Sequence, residues 1–244
     1  MTPVKKTVAT LSRRRASVVL GDRRMSFGAW QDRIRDPSLT GLLVLELCLV
    51  FLAAPLAAKG LPMARRVVEA LLLAMVAVVV LLSNRRGAIL AIAMGVAATL
   101  AGRLSGPVAA SALHHGGNML ALSAATWVVA HAVFAPGRIT FRRLQGAAVV
   151  YLNFAMIFAS AFGLIWELSP EAYAGLPAAM GAPGELATMM YFSLTTLTTT
   201  GYGDIAPIEP FARGLANLES IVGQFYLAII VARLVTLELQ DRRR

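Results

Sequence analysis

Six apolar runs dominate the chain: Leu42–Ala58, Val67–Leu82, Ala88–Ala101, Met119–Phe134, Leu144–Leu168 and Leu215–Leu237. A helix needs about 20 mostly apolar residues to cross the ~30 Å hydrocarbon core of a bilayer. Lipid offers backbone N–H and C=O groups no partner, so such runs are confined to helices that satisfy themselves. The third run reaches a plausible length with Gly87 and residues 102–104. The stretch Val108–Asn118 either extends the fourth span or forms an outer re-entry, because His114-His115-Gly116-Gly117 interrupts its pattern. With 57% hydrophobic and only 15% charged residues, the composition excludes a soluble enzyme, in which about a quarter of residues are charged. The expected fold is an all-α membrane protein with six transmembrane helices.

The net charge of +10 does not mark a nucleic-acid binder, because the 23 basic residues sit between the apolar runs and at the two ends. With the N-terminus inside, the cytoplasmic face carries Lys5, Lys6, Arg13–Arg15, Arg23, Arg24, Arg33, Arg35, Arg85, Arg86, Arg138, Arg142, Arg143, Arg233 and Arg242–Arg244. That leaves Lys59, Arg65, Arg66, Arg103 and Arg213 outside. This asymmetry matches the positive-inside rule and an even number of spans, with both termini cytoplasmic. Residues 1–37 read as a basic cytoplasmic tail that anionic headgroups attract. No apolar core precedes residue 38, so the tail does not read as a cleaved signal peptide. Cys48 stands alone inside an apolar run, which excludes an intramolecular disulfide or a CxxC site.

Between Leu168 and Leu215 the chain is too apolar for a plain outer loop. Glu185–Leu197 is Thr-rich and too short to cross; Pro183 and Gly184 suit the start of a short helix, with Glu185 at its positive end. Thr198-Thr199-Thr200-Gly201-Tyr202-Gly203-Asp204 follows. A helix that dips in and returns as extended chain is allowed at membrane depth only where protein or a water-filled pore satisfies the backbone. The segment therefore asks for a pore lined by main chain. Gly201 and Gly203 can reach backbone angles that aim successive carbonyls to one side, Thr199 can add a hydroxyl below them, Tyr202 can point away as a strut, and Asp204 marks the outer mouth.

Thr199-Thr200-Gly201-Tyr202-Gly203-Asp204 resembles the selectivity filter of the potassium-channel family, usually worded TVGYGD. The resemblance extends over about residues 144–238. Tyr191-Phe192-Ser193 occupies the place of the family's pore-helix aromatics, and Gly223 falls where the family has a flexible inner-helix glycine. Gly223-Gln224-Phe225-Tyr226-Leu227 and Val231-Ala232-Arg233-Leu234-Val235 are similar to inner helices of small bacterial members. It implies a homotetramer, because one loop per chain supplies a quarter of a carbonyl ring. It also implies potassium ions held at Thr199, Thr200, Gly201 and Tyr202, with Gly203 completing the filter. Two positions depart from the family: Thr200 replaces the commoner Val, and Thr195 stands where some members carry an acid that pairs with the Asp after the filter.

At the outer mouth, Glu167, Glu171, Asp204 and Glu209 against Arg213 make a cation-attracting funnel. Gly223, Leu227, Val231 and Val235 recur at four-residue spacing in the last span, as a hinge and cavity lining that can close by dewetting. Glu219, one turn earlier, is an intramembrane acid that reads either as functional or as held by a structural hydrogen bond to the pore helix. Glu46 and Glu69 are further acids at membrane depth, with Arg103, His131 or each other as candidate partners. His114 and His115 could sense pH or bind a metal, but two adjacent histidines do not share a helix face and read first as loop or packing residues; no paired carboxylates or metal-ligand cluster is expected at a membrane face.

The domain organisation expected is a tail (1–37), a four-helix sensor-like domain (38–135), a pore domain (136–240) and a basic end (241–244). Voltage sensing needs several charges within the field, yet no Arg or Lys lies between Pro107 and Ala135, so no strong voltage sensor is expected. No ligand-binding domain follows the last span, which places gating in the membrane region, the lipid or the filter. The functional expectation is a potassium-selective channel, not an enzyme, in a cell membrane that the Ala- and Arg-rich composition associates with bacteria. It needs no cofactor beyond the permeant ion, and its partners are its own copies and lipid. A less selective monovalent cation channel and a non-conducting regulatory subunit are the alternatives.

Overall fold

The computed structural model describes residues 39–83, 86–102, 107–134, 141–176 and 180–242. The N-terminal tail, the linker around Arg138 and the last two arginines lie outside them. Helix α1 (Leu39–Ala58) is wound more widely over Leu49–Ala53 as a π-helical turn, immediately before Pro55. The proline ring has no N–H for the carbonyl one turn back and crowds it; an extra residue in that turn relieves both. Helix α2 (Pro62–Leu82) starts on a proline, the residue best preset for a first helical position.

Helices α3 (Arg86–Gly102) and α4 (Pro107–Val133) form a closely packed pair. A Cβ on Gly95 would sit 2.5 Å from the Gly117 carbonyl oxygen, and one on Gly117 equally close to that of Gly95. Lipid tails are as apolar as leucine, so helices in a bilayer gain little by burying large side chains, and small residues that let backbones touch take over. The stretch Val108–Asn118 is thus continuous helix rather than a re-entry. Gly117 serves the α3 contact, while Gly116 faces open space.

Helix α5 (Phe141–Leu168) lies antiparallel against α4. The α4 C-terminus meets its start, with Val133 against Gly146, and His115 near the α4 N-terminus meets Glu167 at its end. Thr40 of α1 donates to Gln145 of α5 at 2.6 Å. A two-residue strand β1 (Tyr173–Ala174) pairs antiparallel with β2 (Ala206–Pro207). They bracket helix α6 (Ala182–Leu197), the short re-entrant helix, and the Thr-Gly-Tyr-Gly segment after it. Helix α7 (Pro210–Arg242) completes the chain.

Among the described residues, α1, α5 and Pro210–Arg233 of α7 are long and apolar enough to cross a membrane by length and composition. The protein is a helical membrane protein. Its core runs along α5, where Phe158, Phe162, Tyr173 and Phe192 form a continuous set of ring contacts from α5 through β1 to α6.

Candidate functional site: the pore loop

Helix α6 is fixed on both sides. Its Ser193 is fully buried; the hydroxyl oxygen lies 2.7 Å from the Ala155 carbonyl of α5 and 2.5 Å from a Glu219 carboxylate oxygen of α7. Ser220 donates to the Thr196 carbonyl at 3.2 Å, and Tyr151 of α5 donates to the Leu197 carbonyl at 3.3 Å. Gly223 is packed directly against that same Leu197 carbonyl, closer than any Cβ would allow. Its missing side chain is what lets α7 reach the end of α6. Tyr226, one turn below, stacks on Tyr151 at 5.8 Å and donates to the Ala147 carbonyl at 2.7 Å.

After α6 the backbone changes character residue by residue. Thr199, Gly201 and Gly203 have φ of +56°, +53° and +79°, and Thr200 and Tyr202 between them keep negative φ. A chain that alternates between right- and left-handed regions gathers its N–H groups on one side and its carbonyls on the other. Here the N–H groups of Thr199, Thr200 and Gly201 all turn back to α6, bonding the Thr196, Thr195 and Thr195 carbonyls at 2.9, 2.8 and 3.1 Å. Two of the three positive-φ positions are glycine, which adopts this region without penalty. Thr199 is β-branched, and holding it there costs of order 1–3 kcal/mol. It is held by what surrounds it: its hydroxyl donates to the Thr198 carbonyl at 2.7 Å and accepts from Gln224 of α7 at 3.1 Å. Gln224 is a supporting residue that the sequence reading did not assign.

Above the glycines, Tyr202 is largely exposed and stacks parallel on Tyr191 at 6.3 Å. Tyr191 donates its hydroxyl to Asp204 at 2.9 Å. That bond, and the nearby carboxylate, hold the Tyr191 phenol above its ordinary pKa, so it stays a donor at neutral pH. Asp204 therefore has a pore-helix partner, on Tyr191 rather than at position 195. Thr195 instead donates back to Phe192 within α6.

The outer acids are not all free to form a funnel. Glu209 accepts the Ala212 N–H at 2.9 Å and caps the start of α7. Arg213 donates to the Pro207 carbonyl at 3.1 Å, and Glu167 faces His115 at 3.4 Å. Along α7, Leu227, Val231 and Val235 are exposed in the single chain, whereas Gly223 is buried on the α6 side. Glu46 is fully buried and neither of its oxygens has a hydrogen-bond partner among the described residues. His131 packs its ring against Trp127; Arg103 and the Glu69 side chain lie outside the description.

This geometry is a loop that dips on a short helix and returns with its N–H groups spent on that helix. Residues 147–239, the stretch that builds it, match the model of an ion channel family. The chain also resembles the inward rectifier potassium channel Kirbac3.1 of Paramagnetospirillum magnetotacticum, at 40% identity over 47 residues. Residues 147–239 thus form an ion-channel domain that is similar, over part of its length, to that of a potassium channel. The matched stretch is 19% of this chain and 16% of that relative's length, so the likeness rests on the pore. No solved structure matches the chain. Residues 147–239 cover most of α5, all of α6 and most of α7.

Proposed function

We propose that the protein is a potassium-selective channel that conducts passively through a central filter formed by four copies. The carbonyls of Thr199, Thr200, Gly201 and Tyr202, with the Thr199 hydroxyl and Gly203 completing the strand, replace the hydration shell of the ion. The observation that carries this reading is the alternating φ of residues 199–203, with the first three N–H groups turned to α6. A strand so built has its carbonyl dipoles left for a cation. Asp204 and Glu209 stand at the mouth, and the chain has six spans with both termini cytoplasmic, in a bacterial inner membrane whose anionic lipids attract the basic tail. Gly223 sets the angle of the inner helix, and Leu227, Val231 and Val235 line the cavity below.

Purified protein in liposomes, assayed under potassium and then sodium gradients, tests this proposal. Potassium flux well above sodium flux, lost in Gly201→Asp, is the expected result. Equal fluxes would replace the reading by a less selective cation channel. One contact favours that second reading: the Thr200 hydroxyl lies 2.8 Å from the Thr198 hydroxyl, a polar link that the commoner Val cannot make. No flux from intact tetramers would favour a regulatory subunit.

A further inference from the structure

His115, Glu167 and Glu185 come from three different helices, and their ligating atoms all lie within 4.8 Å of one another. The sequence left metal binding open for His115 beside a packing role, and the fold brings it to two carboxylates. His115 is 4% exposed, and neither ring nitrogen has a hydrogen-bond partner among the described residues. Its Nε2 sits 3.4 Å from Glu167 Oε2 and 3.2 Å from Glu185 Oε1. Those separations are long for charge-assisted hydrogen bonds, which run about 2.7–2.9 Å. Both separations from Nε2 are close to an edge of a tetrahedron about a zinc ion, where metal–ligand bonds of about 2.0–2.1 Å place neighbouring ligand atoms about 3.3–3.4 Å apart.

The wall of the site is shaped for the same cluster. A Cβ on Gly163 of α5 would lie 2.7 Å from His115 Cε1 and 2.8 Å from Glu185 Oε1. The absent side chain is what lets the imidazole and the pore-helix carboxylate meet. Glu185 lies in the first turn of α6, so its carboxylate stands at the N-terminal end of that helix. Glu167 is the most exposed of the three side chains and gives the cluster its opening to solvent.

We propose that His115, Glu167 and Glu185 form a binding site for a divalent transition-metal cation of the zinc class. An imidazole with two carboxylates suits such ions, whereas calcium and magnesium take oxygen ligands alone. Three protein ligands leave a fourth position for water. The site lies on the side of the filter that carries Asp204, because α5 runs from Glu167 into β1, which pairs with the strand after Asp204. A bound ion would tie α4 to the first turn of the pore helix.

The test uses the full-length protein, purified, stripped with a chelator and titrated with Co²⁺, whose visible absorption reports tetrahedral N/O coordination, followed by displacement with Zn²⁺. Expected are one Co²⁺ per chain, loss of the signal in His115→Ala, and affinity lower by about 10-fold or more in Glu167→Gln. Gly163→Ala should weaken binding without removing a ligand, since the added methyl meets only the ends of movable side chains. Size exclusion checks that each variant keeps its assembly, and Glu167→Gln, at the most exposed ligand, keeps the test alive if another variant does not fold. Binding that is absent, or equally tight in wild type and Glu167→Gln, overturns the proposal and leaves the three residues as an ion pair. These measurements do not depend on conduction, so their failure and that of the channel reading are separable. In the flux assay, Zn²⁺ on the Asp204 side should change the wild-type rate and leave that of His115→Ala unchanged.

Discussion

Substituting Gly223 by alanine separates two roles that an inner-helix glycine can have. Helix propensity favours the change by about 1 kcal/mol. Packing opposes it. The new methyl would enter the Leu197 carbonyl oxygen and stand 3.0 Å from Leu197 Cδ1 and 3.1 Å from Leu197 C. The Cδ1 can turn aside, but the carbonyl is backbone at the end of the pore helix and already receives the Tyr151 hydroxyl. Overpacking of this kind costs about 1–3 kcal/mol, and a rigid obstacle puts it at the upper end. The net expectation is a loss of about 1–2 kcal/mol per chain, a fall in Tm of about 2–8 °C for a unit of this size. Gly116→Ala is the internal control, because that glycine faces open space on its helix and should show the propensity gain alone. Fluorescence-detected size exclusion after heating reads both variants, and liposome flux is measured alongside. A Gly223→Ala protein as stable as wild type but with reduced flux would refute the packing argument and leave a hinge.

Tyr191→Phe removes the hydroxyl that Asp204 accepts and leaves the ring stack with Tyr202 in place; potassium flux should decay faster during sustained gradients while assembly is unchanged. With Tyr191 intact, the raised phenol pKa means the bond persists as long as the phenol is neutral and is lost as pH rises through that raised value, so alkaline flux should approach that of the Phe variant. Glu219→Ala removes one of the two partners of the buried Ser193 hydroxyl, which keeps the Ala155 carbonyl, and should cost about 0.5–1.5 kcal/mol of stability in the heating assay, whereas Glu219→Gln retains a partner and should lose less. Gly117→Ala forces a methyl into the Gly95 carbonyl oxygen and should lower the heating midpoint, opposite in sign to its neighbour Gly116→Ala.

The pore loop was legible because its chemistry is local. Pro183, the Thr run and the alternating glycines lie within a few turns of chain, and the backbone states they permit are the ones found at Gly201 and Gly203. The partner of Asp204 was not legible at position 195, where the sequence has Thr. The donor is Tyr191, one turn earlier on α6, and only the return of the chain brings it within reach. The His115 site was hidden for a related reason. Neighbouring helix residues point about 100° apart, so one histidine at most can meet the carboxylates, and nothing local says which. Its partners are set by the antiparallel packing of α4 on α5. The glycines at 116 and 117 looked like interruptions; in lipid, where no water competes for the backbone, the helix runs through them and Gly117 serves a contact with α3. Glu46 is buried without a hydrogen-bond partner among the described residues, and nothing in its own run signalled that.

Helix α4 carries no Asp, Glu, Lys or Arg from Pro107 to Phe134. A membrane potential does about 2.3 kcal/mol of work per elementary charge per 100 mV, and on such a helix it has almost nothing to act on. What α4 does have is an attachment to the pore domain at each end. Near its start, His115 faces Glu185 at the first turn of the pore helix. At its end, the Phe134 carbonyl accepts from Arg233 of the inner helix at 3.1 Å, and the guanidinium lies 4.9 Å from the Phe134 ring. Between those attachments α4 packs closely on α3 at Gly95–Gly117 and on α5 at Gly146–Val133. Held in this way, α4 joins the first turn of α6 to the C-terminal half of α7.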